Sequence, residues 1–166
     1  MPIQFDNPEN PNIHELTTGP EIISAMNGIG KSVDAFVAGV GTGGTLSGIG
    51  RALKKENPNT KVYALESSES PLLKDGKTGK HGIAAGFIPK NLDKDVYDGI
   101  VEVSTDEAMK IACEVAKNEG FLPGIFAGAN IHGAIELAKK LGKGHAAVTV
   151  SPDGGDRYLS TALFNE

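Results

Sequence analysis

Apolar residues along this chain alternate between two rhythms, short continuous runs and runs spaced three and four apart. Four of the short runs read as strands: Asp34-Ala-Phe-Val-Ala-Gly-Val40, Lys61-Val-Tyr-Ala-Leu-Glu66, Gly99-Ile-Val-Glu-Val103 and His145-Ala-Ala-Val-Thr-Val150. They are apolar in the middle, as parallel strands covered on both faces should be. Helical patterns lie between them. Leu46 to Asn57 follows the first strand. After the third, Ser104 and Glu107 have capping-box spacing, and Ala108, Ile111, Ala112, Val115 and Ala116 repeat with helical period up to Gly120. Ala127 to Leu141 forms an Ala-rich helix stopped by Gly142. Near the start, Thr18 and Glu21 repeat the capping-box spacing around Pro20, which predicts a helix from there to about Asn27.

The remaining stretches lack either rhythm. Pro2, Pro8 and Pro11 with Asn and Asp predict an irregular lead-in over 1–16. Residues 67–98 predict a long loop region, and loops of that length are usually functional or incompletely packed. Pro152-Asp-Gly-Gly-Asp156 predicts a turn and Arg157 to Phe164 a short helix. Strands alternating with helices predict an α/β fold: three layers, αβα, around a mainly parallel sheet with right-handed crossovers, in a single domain over 1–166.

Composition narrows the function classes. The net charge of −5, without a Lys/Arg cluster, argues against nucleic acid as a partner. The single cysteine, Cys113, excludes an internal disulfide framework and fits a reducing, cytoplasmic compartment. No long apolar run or signal peptide is present, so neither membrane insertion nor export is expected. His14, His81, His132 and His145 lack metal-ligand spacing, and Cys113 sits on an Ala-rich helical face suited to packing. Asp153, Asp156 and Arg157 read as turn chemistry with a local ion pair, and Lys54, Lys55, Lys139 and Lys140 as solvated, dipole-compatible helix ends.

The chemistry concentrates in Gly41-Thr42-Gly43-Gly44-Thr45, placed where a strand hands over to a helix. Glycines there let several backbone N–H groups converge on one anion, the helix start adds a positive dipole end, and the threonines add hydroxyls. Three readings stay open on local sequence. Gly39-x-Gly41-x-x-Gly44, with Glu66 ending the next strand, satisfies the dinucleotide fingerprint. The same residues suit a cofactor phosphate monoester. They also suit a tight turn that binds nothing.

Five co-linear motifs extend beyond that loop: Asn7-Pro-Glu-Asn-Pro11, Thr17-Thr-Gly-Pro-Glu-Ile22, Gly41 to Thr45, Gly86-Phe-Ile-Pro89 and Pro152-Asp-Gly-Gly-Asp-Arg-Tyr-Leu-Ser-Thr161. Together, over nearly the whole chain, they resemble the C-terminal half of the cysteine synthase (O-acetylserine sulfhydrylase) family, fold-type II pyridoxal-phosphate enzymes. The resemblance implies the larger domain of that fold, with Gly41, Thr42, Gly43, Gly44 and Thr45 holding the phosphate of pyridoxal 5'-phosphate. It implies β-replacement of O-acetylserine by sulfide to give cysteine.

Three departures matter. The family's Ser-Val-Lys-Asp-Arg-like segment, whose lysine holds the cofactor and moves the α-proton, is not in this sequence, nor is the Asn-containing loop that grips the substrate carboxylate. No catalytic residue is therefore assigned. Where the family has Gly-Ile-Ser-Ser-Gly-Ala, this chain has Gly124-Ile-Phe-Ala-Gly-Ala129, so Phe126 occupies the position of the serine that bonds the pyridine nitrogen. The family's run before Gly-Phe is shortened to His81-Gly-Ile-Ala-Ala-Gly-Phe87. The chain alone is expected to be inactive. The expected partners are a separate N-terminal half, intact cysteine synthase, or a second copy, because a sheet lacking its neighbouring segment leaves an edge to pair. The alternatives are a non-catalytic interaction module and, distantly, a dinucleotide-binding domain.

Overall fold

The structure is a computed structural model and describes residues 3–77 and 86–163. Its elements run α1 (Glu9–Ile13), a π-helical stretch (His14–Thr18), α2 (Gly19–Gly28), β1 (Ala35–Gly39), α3 (Gly44–Glu56), β2 (Lys61–Ser67), α4 (Leu72–Asp75), β3 (Gly99–Val103), α5 (Thr105–Glu119), α6 (Ile125–Leu141), β4 (Ala147–Thr149) and a 3₁₀ turn (Gly155–Tyr158). All neighbouring strands pair in parallel, in the order β3-β2-β1-β4. The chain moves outward from β1 through β2 to β3, then returns to the far side of β1 as β4.

That route explains the layers. Right-handed crossovers in opposite directions put their helices on opposite faces of a sheet. Accordingly, Phe36 and Ala38 of β1 pack with Leu46, Ile49 and Leu53 of α3, and Ile22, Ile23 and Met26 of α2 close that side. On the other face Ala35 and Val37 pack with Ala108 of α5 and with Ala129 and Leu137 of α6. The three-layer parallel α/β architecture predicted from the sequence is the one observed.

The irregular lead-in is not. Residues 9–28 form one unbroken helical segment. Asn7 Oδ1 accepts from the Glu9 N–H at 3.0 Å, and Pro8 and Pro11 fall at the start, where a missing N–H costs nothing. Pro20 then lies inside the helix, where its ring would press on the carbonyl one turn back. The chain absorbs it by widening the turn before it: the Gly19 N–H donates to the His14 carbonyl five residues earlier. Thr18 is consequently helical and caps nothing, and its hydroxyl meets His14 Nδ1 at 3.0 Å instead. The Ser104 box is real. Ser104 accepts from the Glu107 N–H and Glu107 returns a bond to the Ser104 N–H at 2.9 Å.

The 67–98 region contains the single turn α4 and then folds back, with Leu92 and Val96 buried against the α3 side. His81 and the shortened run before Gly86 fall outside the described residues. Beyond β4 the helix expected over Arg157–Phe164 is the one 3₁₀ turn ending at Tyr158, followed by bends to Leu163. Cys113 is half-buried on α5, and its Sγ donates to the Leu163 carbonyl at 2.9 Å. No helix among the described residues is long and apolar enough to cross a membrane.

The two capping boxes give a direct contrast. Ser104→Ala is expected to cost about 1 kcal/mol in urea unfolding, whereas Glu21→Ala stays within about 0.5 kcal/mol. Equal losses would mean that the second box forms after all.

Candidate functional site

Because β4 returns beside β1 while β2 leads away from it, the connections after β1 and β4 diverge and open a crevice at the carboxyl ends of the strands. Open parallel sheets bind ligands at such switch points. The crevice here is a cleft of about 230 Å³. Gly41, Thr42, Gly43 and Thr45 form one wall, Ala38, Leu65 and Ala129 the floor, and Phe126, Asn130, Pro152 and Asp153 the opposite wall.

The glycine turn starts α3 two residues before the expected Leu46. Gly43 has φ +82°, and a Cβ there would also come within 2.8 Å of the Leu92 backbone, so glycine is required twice over. The N–H groups of Gly41, Thr42, Gly43, Thr45 and Leu46 reach no backbone acceptor among the described residues. Gly43 and Leu46 are buried. Buried N–H groups almost always have a partner, and unpaired N–H groups at a helix start are donors that a phosphate oxygen would satisfy. The hydroxyls of Thr42 and Thr45 stand beside it. Thr42 Oγ1 lies 2.9 Å from Asn10 Nδ2, and Thr45 Oγ1 lies 3.3 Å from His14 Nε2. Burial holds the His14 ring below its ordinary pKa, favouring the neutral imidazole.

Glu66, the acid of the dinucleotide reading, is spent elsewhere. Its carboxylate accepts from the N–H groups of Leu73 and Lys74 at 2.6 and 3.0 Å, capping α4. A ribose would have to compete with both bonds.

The opposite wall is built by two residues the sequence did not single out for the site. Asn130 is only 2% exposed. Its Oδ1 accepts from the Gly39 N–H at 2.8 Å and its Nδ2 donates to the Val150 carbonyl at 2.9 Å. One side chain of α6 thus ties the ends of β1 and β4 across the crevice. The only signal was a polar residue within an apolar, Ala-rich stretch. Asp153 does more than the expected turn chemistry. Its carboxylate accepts from the N–H groups of Phe126 and Ala127 at 3.2 and 2.7 Å, capping α6 from a distant part of the chain. It also accepts from the Tyr158 hydroxyl at 2.7 Å, and burial together with that bond pushes the phenol up to about 12.

Phe126 is 42% exposed at the mouth of this wall. The structure therefore brings four of the five loop residues and Phe126 to one cleft, with Gly44 buried directly behind. The end formed by the glycine turn offers N–H and hydroxyl groups that suit a phosphate monoester. The end facing Phe126 presents a phenyl ring, which can neither donate to nor accept from a pyridine nitrogen.

Comparison with known proteins agrees with the geometry. The family described as pyridoxal-phosphate dependent enzyme matches residues 1–153. The chain is 54% identical over 167 residues to a cysteine synthase of Staphylococcus aureus, covering 99% of this chain and 53% of the relative. It is 45% identical to a probable cysteine synthase of Bacillus subtilis, covering 99% of this chain and 54% of that one. Among solved structures, a hydrogen sulfide-producing enzyme from Fusobacterium nucleatum superposes with a TM-score of 0.93 at 43% identity, over 98% of this chain and 50% of that one. The cysteine synthase of Entamoeba histolytica gives 0.89 at 36% identity, over 97% and 48%. The chain spans about half the length of the curated relatives it matches.

Two outcomes follow for the walls. Asn130→Ala strands the half-buried Gly39 N–H and Val150 carbonyl, so a loss of roughly 1–3 kcal/mol in chemical unfolding is expected. A change under about 0.5 kcal/mol would show that the tie does not hold the crevice. His14 titrates below its unfolded value, so its contribution is present above pH 6.5 and is lost as pH falls through the folded pKa. Stability measured downward from pH 6.5 should therefore drop less steeply in His14→Gln than in the natural sequence; identical profiles would contradict this.

Proposed function

Starting from a chain that belongs to the pyridoxal-phosphate dependent enzyme family, and within it to the cysteine synthases, we propose that it is the phosphate-holding half of a β-replacement site. The observation that carries this reading is the turn Gly41–Thr45, which lines the cleft at the sheet's switch point with two threonines and with N–H groups that reach no backbone acceptor among the described residues. In this reading Gly41, Thr42, Gly43 and Thr45 hold the phosphate of pyridoxal phosphate. Gly44 lets the helix start close behind it. Asn130 keeps the floor from spreading, and Asp153 fixes the helix that carries Phe126. When bound, the cofactor supplies an electron sink for the α-carbon of an amino acid.

The proton-moving lysine and the loop that grips the substrate carboxylate are not among these 166 residues. A β-replacement of O-acetylserine by sulfide therefore needs both from another segment, and an N-terminal half of a cysteine synthase is the natural donor. In this reading the described residues orient a phosphate and shield one side of a ring, and no lysine or histidine is among the described residues that line the cleft.

Phe126 supports a second reading, a non-catalytic module that associates with intact cysteine synthase or with itself. A phenyl ring at the cofactor's far end removes a bond without supplying another.

Complementation separates the two. Mixing the chain with a separately expressed N-terminal half of a cysteine synthase should restore sulfide-dependent cysteine formation. Phe126→Ser in the mixture should raise the rate by roughly tenfold or more, the worth of one hydrogen bond to a charged group. If neither mixture exceeds the N-terminal half alone, the catalytic reading is wrong; capture of intact cysteine synthase by the same chain would then favour the module.

A further inference from the structure

One wall of the phosphate turn is fastened to the first helix by contacts that the turn's own motif does not require. The side chain of Asn10, on α1, lies against the backbone of Gly44, where any Cβ would overlap it. Its two amide hydrogens are both committed. Nδ2 donates to the Gln4 carbonyl at 2.7 Å and to Thr42 Oγ1 at 2.9 Å. A carbonyl oxygen can only accept, so the Gln4 carbonyl fixes which end of the carboxamide faces Thr42: the flipped amide would set two acceptors against each other. The Thr42 oxygen must therefore accept. It also takes the Gly44 N–H, at a longer 3.4 Å. A hydroxyl has two lone pairs and one hydrogen. With both acceptor sites used, its hydrogen is left to point away from Asn10 and Gly44, and Thr42 lines the cleft.

We infer that Asn10 is a positioning residue that makes the Thr42 hydroxyl a donor only, so that the turn selects an acceptor-only ligand group, the dianion of a phosphate monoester. Resting on the phosphate-site reading above, this adds a polarity to the site. A freely rotating threonine could donate to an oxyanion or accept from an alcohol, amide or ammonium group. A threonine held from behind by two N–H donors rejects the second class, because its lone pairs are already occupied. Ligands that present a hydrogen to Thr42 would have to displace one of these donors, leaving the Asn10 amide or the Gly44 N–H short of a partner. The device also explains why the segment before the sheet matters to a turn 32 residues further along the chain: α1 is packed onto α3 through Gly44 and Gly48, with the Pro11 carbonyl and His14 Cβ filling the space a side chain at 48 would take.

The test is a double-mutant cycle read by calorimetry with inorganic phosphate and, separately, pyridoxal phosphate. Thr42→Val removes the hydroxyl and should weaken phosphate binding roughly tenfold or more, while Asn10→Ala should weaken it about five- to tenfold by freeing the hydroxyl to turn away. If Asn10 acts through Thr42, the loss from Asn10→Ala shrinks to within about twofold when Thr42 is already valine. Losses that simply add, or an Asn10→Ala protein that binds phosphate normally, overturn the inference. Should Asn10→Ala not fold, Asn10→Asp keeps the shape but replaces the amide donor with an acceptor, and its loss must likewise shrink on Thr42→Val. Natural protein that binds neither ligand at millimolar concentration overturns the phosphate reading itself and this inference with it, whereas normal natural-sequence binding with additive losses overturns this inference alone.

Discussion

The site depends on a backbone constraint before it depends on any side chain. A helix always starts with N–H groups that have no acceptor within it, and α3 starts inside the molecule, pressed between the end of β1 and the Leu92 segment. Water satisfies such groups at an exposed helix end. Here Gly43 and Leu46 are buried, and the surrounding chain offers no carbonyl to them among the described residues. The turn can remain in this form because glycine tolerates its dihedral angles and because a ligand of the right charge can supply the missing acceptors.

Everything around the turn serves to keep it in place. The sheet order puts β1 and β4 side by side with their connections parting, and Asn130 bridges the two strand ends so that the gap stays a cleft. Asp153 reaches back to cap α6, which sets the far wall. From below, Ser47 of α3 donates to the Asn91 carbonyl at 2.9 Å and accepts from the Asp93 N–H at 2.9 Å. Arg51 bonds Asp93 at 2.8 Å, so α3 and the 86–98 segment are joined by polar as well as apolar contacts. Phe126 is the exception. It lines the mouth of the cleft, where its side chain contributes shape and no hydrogen bond.

Much of the fold was legible in the sequence because strand burial and helix period are strong, local signals. Phe36 and Val37 sit in an apolar run that could only be a covered strand, and the Ser104–Glu107 pair forms the cap its spacing announces. The misreadings have a common cause: local chemistry that a longer-range demand overrode. Thr18 and Glu21 have capping spacing, yet α3 needed a helix from residue 9 onward to pack against, and Pro20 was accommodated by a widened turn. Glu66 stands where a ribose-binding acid belongs but is held by the N–H groups of a short helix that no periodicity foretold. Asn130 and Asp153 were hidden for the same reason, since their partners lie 91 and 26 residues away along the chain. The glycine turn itself was plain from local sequence; which ligand it holds was not, and only the order of five motifs along the chain narrowed that to a phosphate cofactor.

On the proposed reading, the turn binds a phosphate although the chain carries neither the family's lysine segment nor its pyridine-binding serine. Amide-resolved NMR during titration with inorganic phosphate decides the matter. Saturable shifts concentrated on the N–H groups of Gly41, Thr42, Gly43, Thr45 and Leu46 are expected. Shifts that fail to saturate, or that spread over the lysine-bearing surfaces and leave these five unmoved, would contradict it.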